Sequence, residues 1–135
     1  MYNKGIEERD KGNYSTAVSY FLRSYNAGCD IAGNDLALAY AYGRGVDKNI
    51  NLARYYIDTT LENFRTKNLI YPIGTGFWYA HVLDSKGEIC VCDNDWEEAL
   101  NILEIMGEMD VDDDLEETTF IHAMMDALSL GSAEE

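Results

Sequence analysis

The sequence predicts an all-α protein of about three antiparallel helix pairs in one domain, followed by a capping helix. Three observations carry this expectation. A short pattern occurs three times, as Asn13-Tyr14-Ser15-Thr16-Ala17, Asn49-Ile50-Asn51-Leu52-Ala53 and Asp95-Trp96-Glu97-Glu98-Ala99. Three and four residues past each alanine come Tyr20-Phe21, Tyr56-Ile57 and Ile102-Leu103, so apolar positions recur at helical spacing. Between the first two copies, an alanine-rich apolar stretch ends in Gly43-Arg44-Gly45, which gives the order helix, turn, helix.

Each copy opens one helix. The short side chain of Asn13, Asn49 or Asp95 suits an N-cap, where it can accept a hydrogen bond from a first-turn amide, and the alanine suits a close crossing with a neighbouring helix. The stretch Ile31 to Tyr42, apolar at Ile31, Leu36, Leu38 and Tyr42, supplies the partner helix of the second copy. Copies one and two lie 36 residues apart and copies two and three 46, and the ten extra residues fall in Thr66 to Gly76, a loop containing Pro72, Gly74 and Gly76. The third pair begins with Gly76 to Leu83, containing Phe77, Trp78, Tyr79 and Val82, then a loop around Gly87, then the helix from Asp95. A last helix over Asp113 to Leu130 shows an apolar face of Ile121, Met124, Met125 and Leu128 and an acidic first turn that suits the helix dipole. The expected units are residues 1–28, 30–64 and 75–109, with the capping helix at 113–130.

The run Leu36-Ala37-Leu38-Ala39-Tyr40-Ala41-Tyr42-Gly43-Arg44-Gly45-Val46 resembles the Sel-one-like repeat, a relative of the tetratricopeptide repeat. The family pattern is Leu-Gly-x-x-Tyr-x-x-Gly-x-Gly-Val, a short polar loop, and a helix with alanine and aromatics, as Ala53, Tyr55 and Tyr56 are here. Ala37 stands where the family prefers glycine. The match covers about Asp30 to Leu61. The first unit keeps Gly12-x-Tyr14-x-x-Ala17 behind a shortened leading helix, and the third keeps Asp95 to Leu103 without the Gly-x-Gly turn. The resemblance implies a short right-handed α/α superhelix that binds other proteins and is a scaffold rather than a reaction centre.

Charge is segregated along the chain. Of 25 acids and 10 bases, residues 1–70 hold 8 and 9, while residues 71–135 hold 17 acids and the single base Lys86. A field of this kind repels phosphates and anionic headgroups, so neither nucleic acid nor a membrane is an expected partner, and it attracts a basic protein. The chain is long enough to bury a core without disulfides or metal, and Cys29, Cys90 and Cys92 offer no disulfide framework. The N-terminal ten residues have no apolar signal region and no window approaches a membrane span, so a cytoplasmic location is expected.

Motifs for chemistry are weak. Counted from Asp110, the run Asp110-Val111-Asp112-Asp113-Asp114-Leu115-Glu116-Glu117 places acids where a calcium loop needs them at positions 1, 3 and 5. Leu115 and Ile121 then occupy the positions that require glycine and a bidentate glutamate. Cys90-x-Cys92 would need two more zinc ligands from His81, His122 or Cys29, and no spacing provides them; both cysteines are expected as loop or partly buried thiols. His81 lies in an apolar stretch and is expected to be packed. No nucleophile with an adjacent base and no phosphate-cradling loop is visible, so no enzyme activity and no cofactor are expected.

Two surfaces remain as candidates. One is acidic: Glu97, Glu104 and Glu108, which with Asn101 form a polar stripe opposite Trp96, Ala99, Leu100 and Leu103, followed by Asp110, Asp112, Asp113, Asp114, Glu116 and Glu117. It suits binding and neutralising a basic partner, in the manner of an immunity protein that blocks a toxin domain. The other surface is aromatic, with Tyr42 and Tyr55 among ten tyrosines, and suits a general adaptor that assembles a signalling, chaperone or secretion complex. The protein is expected as a monomer or homodimer.

Overall fold

The computed structural model describes residues 1–66 and 75–108, with side chains at 1–66 and 81–105. The helices are α1 Tyr2–Asp10, α2 Tyr14–Asn26, α3 Ala32–Tyr42, α4 Ile50–Thr66, α5 Thr75–Cys92 and α6 Trp96–Glu108. No strand occurs among the described residues, so the fold class is all-α. The expected capping helix at 113–130 lies outside the described residues.

Local sequence sets the helix boundaries. Asn49 Oδ1 accepts the Leu52 amide at 3.1 Å and Asp95 Oδ1 the Glu98 amide at 3.3 Å, as expected of N-caps. Asn13 departs from this: its side-chain amide donates to Glu8 Oε2 at 2.9 Å and caps nothing. Gly43 and Gly45 both take left-handed angles, φ 69° and 81°, and the Arg44 amide returns to Ala39 O at 2.9 Å. A Cβ at Gly45 would stand 2.5 Å from the backbone of Tyr14, so this turn is pressed onto the start of α2. The third pair lacks that glycine turn, and Asn94 replaces it at φ 57°. The Asp95 amide then bonds Cys90 O at 2.8 Å, matching the bond from the Asn13 amide to Glu8 O at 2.8 Å in the first pair.

The expected loop around Gly87 is absent. α5 runs unbroken through Gly87 for 18 residues. Glycine inside a helix costs about 1 kcal/mol, and burial of Val82, Leu83, Ile89 and Cys90 on both sides of it outweighs that loss. Cys90 and Cys92 are therefore helical rather than loop thiols, Cys90 fully buried and Cys92 partly.

The three alanines of the repeated pattern lie at crossings as expected: Ala17, Ala53 and Ala99 are all buried. Four residues later Phe21 and Ile57 are buried too, whereas the third copy buries Ile102, three residues on. Each helix packs on the next in the chain, and α3 also reaches α5. One apolar cluster joins α1, α2 and α3 and a second joins α3, α4, α5 and α6, with Tyr56 packed against both. α3 is the centre of this arrangement, buried at every residue except Leu38, Tyr40 and Tyr42. Its closest approach is at Gly33, where an added Cβ would lie 2.0 Å from Thr60 Oγ1 of α4.

Candidate functional site

The acidic candidates separate once their partners are identified. Arg54 of α4 reaches the α5–α6 turn and binds Asp93 and Asp95, each at 2.9 Å. Burial works against the Arg54 charge, but the bonds to Asp95 and Asp93 more than offset it and hold the guanidinium protonated, while Asp95 is drawn below the usual carboxylate range by Arg54. Lys86, half-buried on α5, bridges Asp58 at 3.0 Å and Glu98 at 3.3 Å. Glu88 is buried and accepts a hydrogen bond from the Tyr42 hydroxyl. Four acids of the acidic half thus serve the fold. Glu97 and Glu104 are exposed on α6 and have no cationic partner among the described residues. The side chain of Glu108, and all of Asp110, Asp112, Asp113, Asp114, Glu116 and Glu117, lie outside the described residues.

The rest of the α6 surface departs from the expected pattern. Trp96 and Leu100, placed by the sequence reading on the apolar face opposite the acids, are 38% and 58% exposed. Ala99 faces the core as expected and Ile102 joins it, because the inward direction of α6 is set by the alanine crossing and its +3 neighbour. At about 100° per residue, Glu97 and Glu104 lie at the middle of the outer face, with Trp96 and Leu100 along one edge and Ile105, 38% exposed, along the other. This surface combines two like charges with three large exposed apolar groups.

Tyr42 and Tyr55 have different roles. The Tyr42 ring is at the surface, but its hydroxyl ties α3 to Glu88 of α5, and Arg44 stacks over the ring at 4.6 Å. Burial, followed by the Glu88 contact, raises the phenol well above its ordinary value. Glu88 is itself pushed up by burial, against the Tyr42 hydrogen bond that favours its charged form. Tyr55 is 60% exposed and meets Tyr56 edge-on at 5.4 Å. Tyr56 in turn stacks on Tyr40 at 5.7 Å and takes Tyr25 edge-on at 5.5 Å, so Tyr55 is the outer member of a row of tyrosines between α2, α3 and α4.

His81 is exposed, not packed, because Val82 and Leu83 take the inward positions of that turn. Burial raises the Cys90 thiol to about 11 and the Cys92 thiol in the same direction, so neither is poised as a thiolate. Among the described residues no group of three His, Cys, Asp or Glu side chains could hold a metal ion. None of the described helices is long and apolar enough to cross a membrane.

Sequence reasoning missed the bridging cations. The signals were present: Lys86 is the one base among 17 acids, and Arg54 directly follows the crossing alanine of the second copy. Comparison with family models, with curated proteins and with solved structures returns no match.

Proposed function

We propose that this chain is a non-catalytic protein-binding domain of the Sel-one-like repeat type, working in the cytoplasm, that engages a basic partner protein through the outer face of α6 and the acidic stretch beyond it. One observation carries the reading. The structure commits Asp93, Asp95, Glu98 and Glu88 to internal partners yet leaves Glu97 and Glu104 facing outward, bordered by Trp96, Leu100 and Ile105. The helix pairs, the left-handed Gly43 and Gly45 and the buried Ala53 support the repeat assignment. A net charge of -15 favours neutralisation as the form of binding: an acidic immunity-type protein seated on a basic toxin domain.

The test is capture from the native host with tagged wild-type protein, an E97Q/E104Q/L100A variant and a control losing equal charge at Glu7 and Glu62. Captures are washed at low and then high salt and quantified by mass spectrometry. A basic protein held by wild type and the control, and lost from the α6 variant, supports the reading. Near-neutral partners that resist salt and ignore the α6 changes overturn it. The second reading, an adaptor using its aromatic surface, draws on the exposure of Tyr55 with Leu52 one turn away on α4. It requires binding to fall in Tyr55→Ala and survive E97Q/E104Q.

A further inference from the structure

A pocket of about 140 Å³ opens between α1, α2 and α3, away from the α6 face. Its floor is apolar, made by Ala17, Val18 and Phe21 of α2 and Leu38 and Ala39 of α3. Arg9, Arg44, Tyr14 and Asp35 complete the lining. Asp35 is buried, and both of its oxygens are occupied: Oδ2 accepts the Tyr2 hydroxyl at 2.8 Å and Oδ1 accepts Arg9 Nη1 at 3.0 Å. Arg44 lies over the Tyr42 ring at 4.6 Å and near the Tyr14 ring at 6.0 Å, with no carboxylate partner among the described residues. Glu88, an acid that feels its charge, is bound to Tyr42.

From this arrangement we propose that the pocket binds a carboxylate carried on a small apolar group, either the C-terminal residue of a peptide or a free aliphatic acid. Arg9 is shared between Asp35 and Asp10, the latter at 3.3 Å, so the guanidinium left without a carboxylate at the apolar cavity is that of Arg44, in a molecule that is otherwise strongly anionic. That balance suits one carboxylate and not a polyanion, which the rest of the chain repels. A cavity of this size holds a group about as large as benzene, which a leucine-like stem fills. The guanidinium is also fixed in place before any ligand arrives. Gly45 is pressed against the Tyr14 backbone and two tyrosine rings flank Arg44, so little side-chain freedom is lost on binding. The first turn of α2, which begins at Tyr14, carries no acid, and Asn13 is turned away to Glu8.

Calorimetric titration of the full chain tests this, using acetyl-Gly-Gly-Leu as the free acid and as the amide, and 4-methylpentanoate. The acid peptide is expected to bind about 10-fold or more tightly than the amide. Arg44→Gln, at an exposed residue, removes most of that preference, and Leu38→Ala, at a half-buried position, takes away part of the apolar floor and weakens acid and amide alike. Circular dichroism verifies that each variant is folded. If 4-methylpentanoate binds as well as the peptide acid, the site takes a free acid; if the peptide acid binds more tightly, the ligand is a chain end. Equal binding of acid and amide, absence of binding in the millimolar range, or an Arg44→Gln protein that binds like wild type overturns the proposal.

Discussion

Replacing Gly33 with alanine adds one methyl group at the crossing of α3 and α4. Its ideal position is 2.0 Å from Thr60 Oγ1 and 2.9 Å from Tyr25 Cε2, well inside normal contact distance, so at least one neighbour must move. In an open helix the same change would gain about 1 kcal/mol. Here overpacking costs about 1–3 kcal/mol. Displacing Thr60 also strains its 2.7 Å hydrogen bond to Tyr56 O, worth about 1 kcal/mol. The net expectation is a loss of about 1–3 kcal/mol. At roughly 4 °C per kcal/mol for a chain of this length, Tm falls by about 4–12 °C. Urea unfolding followed by circular dichroism measures the loss, and Thr60→Ala supplies the second edge of a double-mutant cycle. Gly33→Ala should cost less in the Thr60→Ala background, by about 0.5 kcal/mol or more, because the nearest obstructing atom is gone. A stabilising Gly33→Ala, or a cycle with no coupling, would refute the crossing geometry.

Three further outcomes are expected. Asn94→Ala forces a Cβ without a compensating polar group into a left-handed turn and loses about 1 kcal/mol, whereas Asn94→Gly is neutral or better; thermal melts of both separate turn geometry from side-chain chemistry. Glu88→Gln keeps an acceptor for Tyr42 while removing a charge that burial disfavours. Because the folded state raises the Glu88 pKa, wild-type stability is greatest below the unfolded value and declines as pH rises through the folded one. The variant should therefore melt above wild type at pH 7 and converge with it near pH 4; a variant less stable at both pH values contradicts this. Arg54→Gln releases Asp93 and Asp95 together and should lower Tm at low salt, with the deficit shrinking as salt is added; a deficit independent of salt would assign Arg54 a packing role only.

The parts of this fold that local rules govern were legible in the sequence. The crossing alanines, the caps at Asn49 and Asp95 and the Gly43–Gly45 turn each depend on residues a few positions apart. What was hidden depended on contacts far along the chain. Gly87 has the composition of a break, and only the partners that bury Ile89 and Cys90 keep α5 continuous. The Asn94 turn does the work of a glycine without being one. The close approach of α3 uses Gly33, four residues before the Ala37 position that the repeat pattern singles out. On α6 Glu97 and Glu104 face outward and Ala99 inward as expected but Trp96 and Leu100 do not turn inward, because periodicity gives the width of a stripe and leaves open which edge turns inward. Arg54 could be identified as a partner for Asp93 and Asp95 only when 39 and 41 residues of intervening chain were folded.

The near-complete enclosure of α3 has a consequence for how this protein can vary. Five of its eleven residues are alanine or glycine, and helices stand against it from α2, α4 and α5. A helix that thin between three neighbours accepts almost no enlargement, so substitutions usually counted as mild, such as alanine to valine, should be rejected there as firmly as charges. In a saturation mutagenesis survey read by abundance, the intolerant band should run along residues 32–41. The outer positions of α1, α2 and α6 would stay open to change, leaving the outer surface free to diverge around a fixed central rod.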